Sequence, residues 1–195
     1  MVRFRFASHF NQNFCPLKWA LGPQGESMPA GDNEKDFIGL LEGKFGKGCL
    51  SGKRRYTLSL DGFDQVEISV DQSLDLEDGR RLLIEIDSGN MAKLIAGQYA
   101  LLNGMNEDCR DKTSFLVVHY YTDNKTGRDY TPQRTLKNIN AIQHFSNDES
   151  WLKYNAIHIR QFRELVHQST NLAELADKVW PNKARQGTQQ SCASA

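Results

Sequence analysis

The sequence predicts an α/β (α+β) fold, with a central mixed β-sheet of about four to five strands flanked by helices. Two observations predict it. A Glu-Asp-Gly turn separates two apolar-rich runs within residues 71–87, which is typical of a β-hairpin. Residues 82–84 form a continuous apolar run, residues 114–121 are rich in β-branched and aromatic side chains, and helical periodicity lies between them, as expected for buried strands joined by a helix.

The composition fits one domain with a real core. The chain has 195 residues, of which 39% are hydrophobic and 25% charged. The formal net charge is +0, so nucleic-acid binding has to rest on local basic patches. The four cysteines have no metal-binding spacing, and we find no membrane span and no signal peptide. We therefore expect reduced thiols and a cytoplasmic protein without membrane partners.

The order of elements follows from periodicity and from helix and turn signals. Asp32 is expected to cap a first helix, and a bend or bulge is expected within residues 71–73 of a strand meander. The helix after Asp87 or Ser88 should bury a stripe at helical spacing that consists of Met91, Leu94, Ile95, Gln98, Leu101 and Leu102. The expected helices span 33–44, 89–104, 135–145, 149–168 and 172–180, and the expected strands span 56–60, 65–70, the two hairpin arms and 114–121.

These elements divide the chain into four segments. Residues 1–31 are expected to form an irregular N-terminal arm, because three prolines and two glycines interrupt residues 11–30. Residues 32–145 form the core, and 146–181 a C-terminal helical segment of the same domain. Residues 182–195 are polar and expected to be disordered. The last two helices are read as a hairpin on the sheet, with a DNA-reading helix-turn-helix as the alternative.

The hairpin turn predicts which carboxylates meet. With its centre near Asp78, residues whose numbers sum to roughly 156 face each other, which sets Asp71 opposite Glu85. Asp87 shares a face with Glu85 because side chains alternate along a strand. Facing carboxylates repel unless they share a cation, and oxygen ligands suit Mg²⁺, with Mn²⁺ as a substitute. The alternative is a solvated hairpin end balanced by Arg80, Arg81 or Lys93.

An Asp on one hairpin arm and Glu-x-Asp ending the other, followed by a helix and a strand, resemble the PD-(D/E)XK nuclease superfamily. That family includes many type II restriction endonucleases, and the resemblance covers about residues 32–122. Asp71 matches the lone Asp of the motif, Glu85 matches the acid of its tripeptide, and Asp87 stands where the family usually has Lys. Asp75 and Glu67 are the rival acids.

The resemblance implies a restriction-endonuclease-like core and a Mg²⁺-dependent DNA endonuclease, with Asp71, Glu85 and Asp87 as catalytic residues and metal ligands. It also implies a homodimer. In the family the Lys helps to position the attacking water and stabilises charge on the phosphate, which an Asp cannot do. Lys93, in the following helix, is the candidate for a migrated catalytic lysine.

Basic residues in 44–55 and 125–137 are the expected contacts with double-stranded DNA. Such loops hold the phosphate backbone, and Tyr130 would contact a base or sugar. They should lie on the same side of the sheet as Asp71; the alternative is that both are solvated loops. His119 and His158, among apolar neighbours, are read as core histidines. The expected DNA-binding residues are Lys53, Arg54, Arg55, Lys125, Arg128 and Arg134.

Two other functions remain open on these residues. Without a lysine at the motif, the chain could be a catalytically weakened nuclease-fold protein that binds nucleic acid or acts as a subunit. The third hypothesis is another metal hydrolase on a mixed sheet.

Overall fold

The computed structural model describes residues 31–59, 65–106, 108–123, 125–146 and 151–181. The predictions for residues 1–30 and for the tail 182–195 therefore fall outside the described residues, as does the Asp61-Gly62 pair, which predicts a turn after the first strand. Cys49 and Cys109 are both free thiols.

Five helices and six strands make up the described part of the chain. The helices are α1 (Asp32–Phe45), α2 (Ala92–Met105), α3 (Gln133–Ser146), α4 (Ile159–Gln168) and α5 (Leu172–Val179). The strands are β1 (Arg54–Leu58), β2 (Val66–Val70), β3 (Gln72–Asp75), β4 (Arg81–Asp87), β5 (Thr113–His119) and β6 (Lys153–His158). Asp32 is the first residue of α1 rather than its cap, which is Gly31.

The main sheet has four strands in the order β3-β4-β5-β6. Strand β3 is antiparallel to β4, whereas β4, β5 and β6 run parallel to one another. The sheet is therefore mixed, and the predicted α+β fold class is confirmed. Strand β5 is buried along its whole length, as its apolar run predicts.

Helices cover both faces of this sheet. On one face, Leu82, Ile84 and Leu116 pack in one cluster with residues of α1, α4 and α5, such as Phe37 and Phe162. On the other face, the alternate residues of β4 and β5 pack with α2 and α3; the members of this second cluster include Leu83, Phe115, Val117, Ile95, Tyr99 and Ile139. Glu85 and Asp87 alternate with Leu83, so their side chains belong to the α2–α3 face.

The predicted hairpin register is confirmed. Gln72 pairs with Ile84 and Asp75 with Arg81, both at residue numbers that sum to 156. Gly79 has a φ of 80°, a left-handed conformation that glycine adopts without a Cβ clash, and its N–H bonds to the Leu76 carbonyl at 2.9 Å. Continued by one residue, this register places Asp71 opposite Glu85.

The predicted meander is split at Asp71. Strands β1 and β2 pair with each other in a separate two-stranded sheet, and β2 ends at Val70. The chain bends at Asp71 and enters the main sheet at Gln72. The expected bend within residues 71–73 is thus present, and it moves the chain from one sheet to another.

The prediction of one helix over 149–168 is wrong in its first half, so the segment 146–181 is not wholly helical. Lys153–His158 is strand β6, which pairs in parallel with β5. Only then does α4 begin, with His158 as its cap: the His158 Nδ1 accepts a hydrogen bond from the Arg160 N–H at 3.3 Å. Helices α4 and α5 pack on the sheet through Phe162, Val166, Leu175 and Val179.

Candidate functional site

The candidate site is a pair of carboxylates where β3 begins and β4 approaches its end. The Asp71 Oδ2 accepts a hydrogen bond from the Ile86 N–H at 2.9 Å. The backbone of Asp71 also lies close enough to the Glu85 carboxylate to act on it. The bond from Ile86 holds Asp71 beside β4, although Asp71 itself lies in the bend.

Burial and mutual repulsion disfavour two negative charges here. Burial, followed by the nearby charge of Asp71, raises the pKa of Glu85 from 4.5 to about 7. Burial also raises the pKa of Asp71, and the Glu34 carboxylate adds to that effect. Among the described residues neither Asp71 nor Glu85 forms an ion pair. At neutral pH the pair therefore favours a shared proton or a bound cation.

Two polar residues that sequence reasoning did not assign to the site contact this pair or its neighbours. The Gln98 amide donates to the Glu85 Oε2 at 2.6 Å and to the Ser69 carbonyl at 3.0 Å. Glu34 of α1 accepts a hydrogen bond from the Gln72 amide at 2.8 Å. The signal for Gln98 was present in the sequence, because it is the polar residue in the stripe predicted to face inward.

Asp87 does not join the carboxylate pair as a third free ligand. It is 5% exposed, and its Oδ2 lies 2.7 Å from the His119 Nδ1. The Gly89 and Met91 N–H groups also donate to it, at 3.0 and 3.3 Å. These hydrogen bonds hold the pKa of Asp87 below its usual value, against the effect of burial. In the part of the chain that the structure describes, no group of three or more His, Cys, Asp or Glu side chains is placed to hold a metal.

Lys93, the candidate for the missing motif lysine, and Lys53, an expected DNA contact, have different surroundings. Lys93 is exposed in the first turn of α2, and no hydrogen bond or ion pair joins it to another described side chain. Lys53 is the cation whose charge acts on Asp71, where it lowers the pKa against the effect of burial. Of these two lysines, Lys53 is therefore the one whose charge acts on the pKa of Asp71.

The rival acids are engaged elsewhere. Asp75 forms ion pairs with Arg54 at 2.8 Å and with Arg81. Glu67 lies 3.7 Å from Arg55 on the two-stranded sheet. Two of the expected DNA-binding arginines, Arg54 and Arg55, are therefore already paired with carboxylates.

The second basic segment lies on the face of the sheet that carries Glu85. Helix α3 packs on that face through Ile139 and carries Arg134. The preceding loop carries Arg128, and the ring of its Tyr130 lies 4.5 Å from that of His119. Arg128 and Arg134 line one cavity. Lys125 instead donates its backbone N–H to Asp123 at 2.8 Å, and this bond, followed by the charge of Lys125, lowers the pKa of that carboxyl.

His119 and His158 are both buried, as their apolar neighbours indicated. The second ring nitrogen of His119, Nε2, lies 3.1 Å from the Thr135 hydroxyl. Asp87, His119 and Thr135 form an acid–imidazole–hydroxyl chain, but His119 and Thr135 are fully buried, so a substrate cannot reach that hydroxyl. The chain is a structural network that joins β4, β5 and α3.

No family model, curated protein or solved structure matches this chain. The likeness to PD-(D/E)XK nucleases therefore stays a prediction from the motif and the order of elements. Among the described helices, none has the length and apolar character needed to cross a membrane.

Proposed function

We propose that this protein is a Mg²⁺-dependent endonuclease that hydrolyses DNA phosphodiester bonds, with Asp71 and Glu85 as its metal ligands. The observation that carries the proposal is the pair itself. The carboxylate of Asp71, in the bend before β3, faces that of Glu85 on β4, and burial and repulsion raise the pKa of Glu85 to about 7. A divalent cation would remove that repulsion, because opposite charge favours the ionised forms of both groups.

The donor set fits Mg²⁺. This ion is commonly held by one or two carboxylates while it keeps several waters and takes up substrate phosphate oxygens. Bound there, Mg²⁺ would lower the pKa of a water molecule and neutralise charge on the scissile phosphate. Asp87 is not needed as a ligand in this arrangement, since its oxygens already serve His119 and the turn after β4.

Four other side chains act on the phosphate, on the metal ligand Glu85 or on the DNA backbone. Lys53, whose charge acts on Asp71, offsets negative charge at the phosphate under attack. Gln98 holds the Glu85 carboxylate in place through its 2.6 Å hydrogen bond. Arg128 and Arg134, on the face that carries Glu85, hold the DNA backbone further along. A homodimer and a cytoplasmic location remain expectations from the sequence.

A plasmid-cleavage assay tests the proposal. Supercoiled DNA is incubated with the protein and Mg²⁺, with EDTA in a parallel reaction. Asp71→Asn and Glu85→Gln should each lower the cleavage rate by about two orders of magnitude or more, as typical for the loss of one electrostatic stabiliser. Glu77→Gln is the matched control, because Glu77 is an exposed acid in the same hairpin. Cleavage that survives EDTA or Glu85→Gln would contradict the proposal.

A second candidate is a nuclease-fold protein that binds nucleic acid without cutting it. Two observations favour it: Asp87 is engaged by His119, and Lys93 is exposed without a partner among the described residues. Neither then supplies the positive charge that the family places beside the metal. Retarded migration of DNA with no cleavage at any Mg²⁺ or Mn²⁺ concentration would select this candidate.

A further inference from the structure

A cavity of about 630 Å³ opens between the loop after β5, the start of α3 and the turn after β4. It lies within the size range of small-molecule and cofactor sites, roughly 300–1,000 Å³. Its walls combine cationic, amide and aromatic side chains. They include Asn90, Tyr121, Arg128, Tyr130, Arg134 and Asn138.

The positive charge around this cavity is uncompensated. No hydrogen bond or ion pair joins the side chains of Arg128, Arg134 or Lys137, which also lines the cavity, to another described residue. The other described arginines are all engaged: Arg54, Arg55, Arg80, Arg81, Arg160 and Arg163 with carboxylates, and Arg110 with the Asn103 carbonyl. The unpaired arginines are thus concentrated in one place.

The two acids in the cavity wall do not neutralise these cations. Asp129 forms an ion pair with Arg160 at 3.2 Å and accepts a hydrogen bond from the Thr122 hydroxyl. Asp123 accepts from the backbone of Lys125 and Thr126 within its own turn. A ligand that enters the cavity therefore meets cations ready for an anion such as phosphate.

The amide groups in the wall are also unpaired. The buried Asn90 Oδ1 and Asn138 Nδ2 have no partner among the described residues, and a buried polar group without a partner is unfavourable. Asn90 has a φ of 58°, the left-handed conformation that non-glycine residues seldom adopt and asparagine tolerates best. One acceptor and one donor without partners suit a planar ligand whose edge offers both.

Aromatic rings complete the wall. Tyr121 and Tyr130 meet edge to face with centroids 6.5 Å apart, and Tyr130 is held against His119. Tyrosine rings beside cations are the common platform for nucleobases, because every base has a face that stacks on an aromatic ring.

We propose that this cavity binds a single nucleotide, with its phosphate at Arg128, Arg134 and Lys137, its base against the tyrosines and the base edge at Asn90 and Asn138. The ligand is either a free nucleotide or one unstacked nucleotide of a nucleic-acid strand, which share this chemistry. Binding here does not depend on the hydrolysis assigned to Asp71 and Glu85.

Calorimetric titration tests the proposal. EDTA in the buffer removes divalent cations, so binding is measured without metal-dependent cleavage. The full chain is titrated with each of the four deoxynucleoside 5′-monophosphates and, separately, with inorganic phosphate. Arg134→Ala should weaken both kinds of ligand by about tenfold or more, as expected for one charge-assisted hydrogen bond. Arg163→Ala is the matched control, because Arg163 is a partly exposed arginine paired with Asp36 outside the cavity, and should leave the affinities unchanged.

Asn90→Gly tests the base separately from the phosphate. Glycine adopts a φ near 58° without strain, so this change removes the amide and keeps the backbone. Mononucleotides should bind several-fold more weakly to this variant, whereas inorganic phosphate should bind as before. A melting curve for each variant checks that its fold is intact.

The proposal is overturned if no mononucleotide binds at millimolar concentration, if Arg134→Ala binds as well as the unaltered chain, or if inorganic phosphate binds as tightly as every nucleotide. A 5′-phosphorylated single-stranded oligonucleotide then identifies the source. Tighter binding than the mononucleotide assigns the cavity to a strand, and weaker binding assigns it to free nucleotides. The same titrations are repeated with Glu85→Gln. Because the cavity does not depend on Glu85, this variant should bind nucleotides as the unaltered chain does, even where it no longer cleaves DNA.

Discussion

The Asp87 carboxylate lies 2.7 Å from the His119 Nδ1, and the two residues are paired across the parallel strands β4 and β5. His119 in turn reaches the Thr135 hydroxyl of α3 through its other ring nitrogen. The acid that stands in place of the family's lysine is therefore a buried structural partner. This relationship separates Asp87 from the carboxylate pair and gives it a role in stability.

Asp87→Asn should destabilise the fold by about 1.5–3 kcal/mol, the range for hydrogen bonds to charged groups. Because the folded-state pKa of Asp87 is lowered, its contribution is present above the unfolded value of 3.8 and is lost as the pH falls through the folded value. Urea unfolding at pH 7 and at about pH 3 should therefore show a smaller difference between variant and wild type at the acid pH. An equal difference at both would contradict the lowered pKa of Asp87.

Glu85 should make the opposite contribution. Its pKa rises from 4.5 in the unfolded chain to about 7 in the fold, so the protonated form is favoured on folding. The stability it contributes is complete below about pH 4.5 and is lost as the pH rises through about 7, by roughly 3 kcal/mol at about 1.4 kcal/mol per pH unit.

Glu85→Gln should remove this loss and be more stable than wild type at pH 8. Urea unfolding at pH 4.5, 6 and 8 measures it, with Glu77→Gln as the exposed control that keeps the wild-type dependence. Wild-type and Glu85→Gln curves that run parallel over this range would show that Glu85 is not perturbed.

Metal binding should follow the same ionisation. Mn²⁺ competes with the proton on Glu85, so the rise in melting temperature at millimolar Mn²⁺ should grow as the pH increases towards about 7 and change little above it. Asp71→Asn and Glu85→Gln should abolish the rise. Asp87→Asn should keep it, and losing it there would restore Asp87 as a ligand.

The hairpin was predictable because its determinants are local. A glycine turn fixes the register, and the register alone sets Asp71 opposite Glu85. The apolar residues of β5 likewise predicted a strand that is buried on both faces. The register could not predict which hydrogen-bond partner each carboxylate has, because those partners, such as Gln98 for Glu85 and His119 for Asp87, are distant in sequence.

Strand β6 was missed because its parallel partner is remote in the chain. KYNAIH runs directly into the amphipathic helix α4, and a short alternating segment beside such a helix is easily read as its first turns. The burial of α2 was also only partly predicted. Ile95 and Leu102 face the core as expected, but Leu94 and Leu101 are exposed, while Tyr99 fills the core instead.

The basic residues of the second segment should affect DNA binding through charge. Each phosphate contact releases counterions, so Arg128→Ala or Arg134→Ala should weaken binding and reduce the slope of log affinity against log salt by about one. Arg163→Ala is the control, because Arg163 is tied to Asp36 on the opposite face. Fluorescence anisotropy with a short duplex at several salt concentrations measures the slopes. An unchanged slope in both variants would exclude these arginines from the DNA contact.

The last prediction concerns which lysine replaces the motif lysine. The sequence favours Lys93, whereas the charge that acts on Asp71 in the structure is that of Lys53. A group that stabilises charge developing on the phosphate has to act near the metal ligands, so its loss should lower the cleavage rate by about two orders of magnitude and leave DNA affinity nearly intact. We expect this for Lys53→Ala and only a small effect for Lys93→Ala, whose side chain is exposed without a partner among the described residues.

Single-turnover cleavage with saturating DNA separates the chemical step from binding. Lys35→Ala, on an exposed lysine of α1, serves as the control for loss of one positive charge. A steep loss in Lys93→Ala with an active Lys53→Ala would return the role to α2, and an active double variant would show that neither lysine takes part in catalysis.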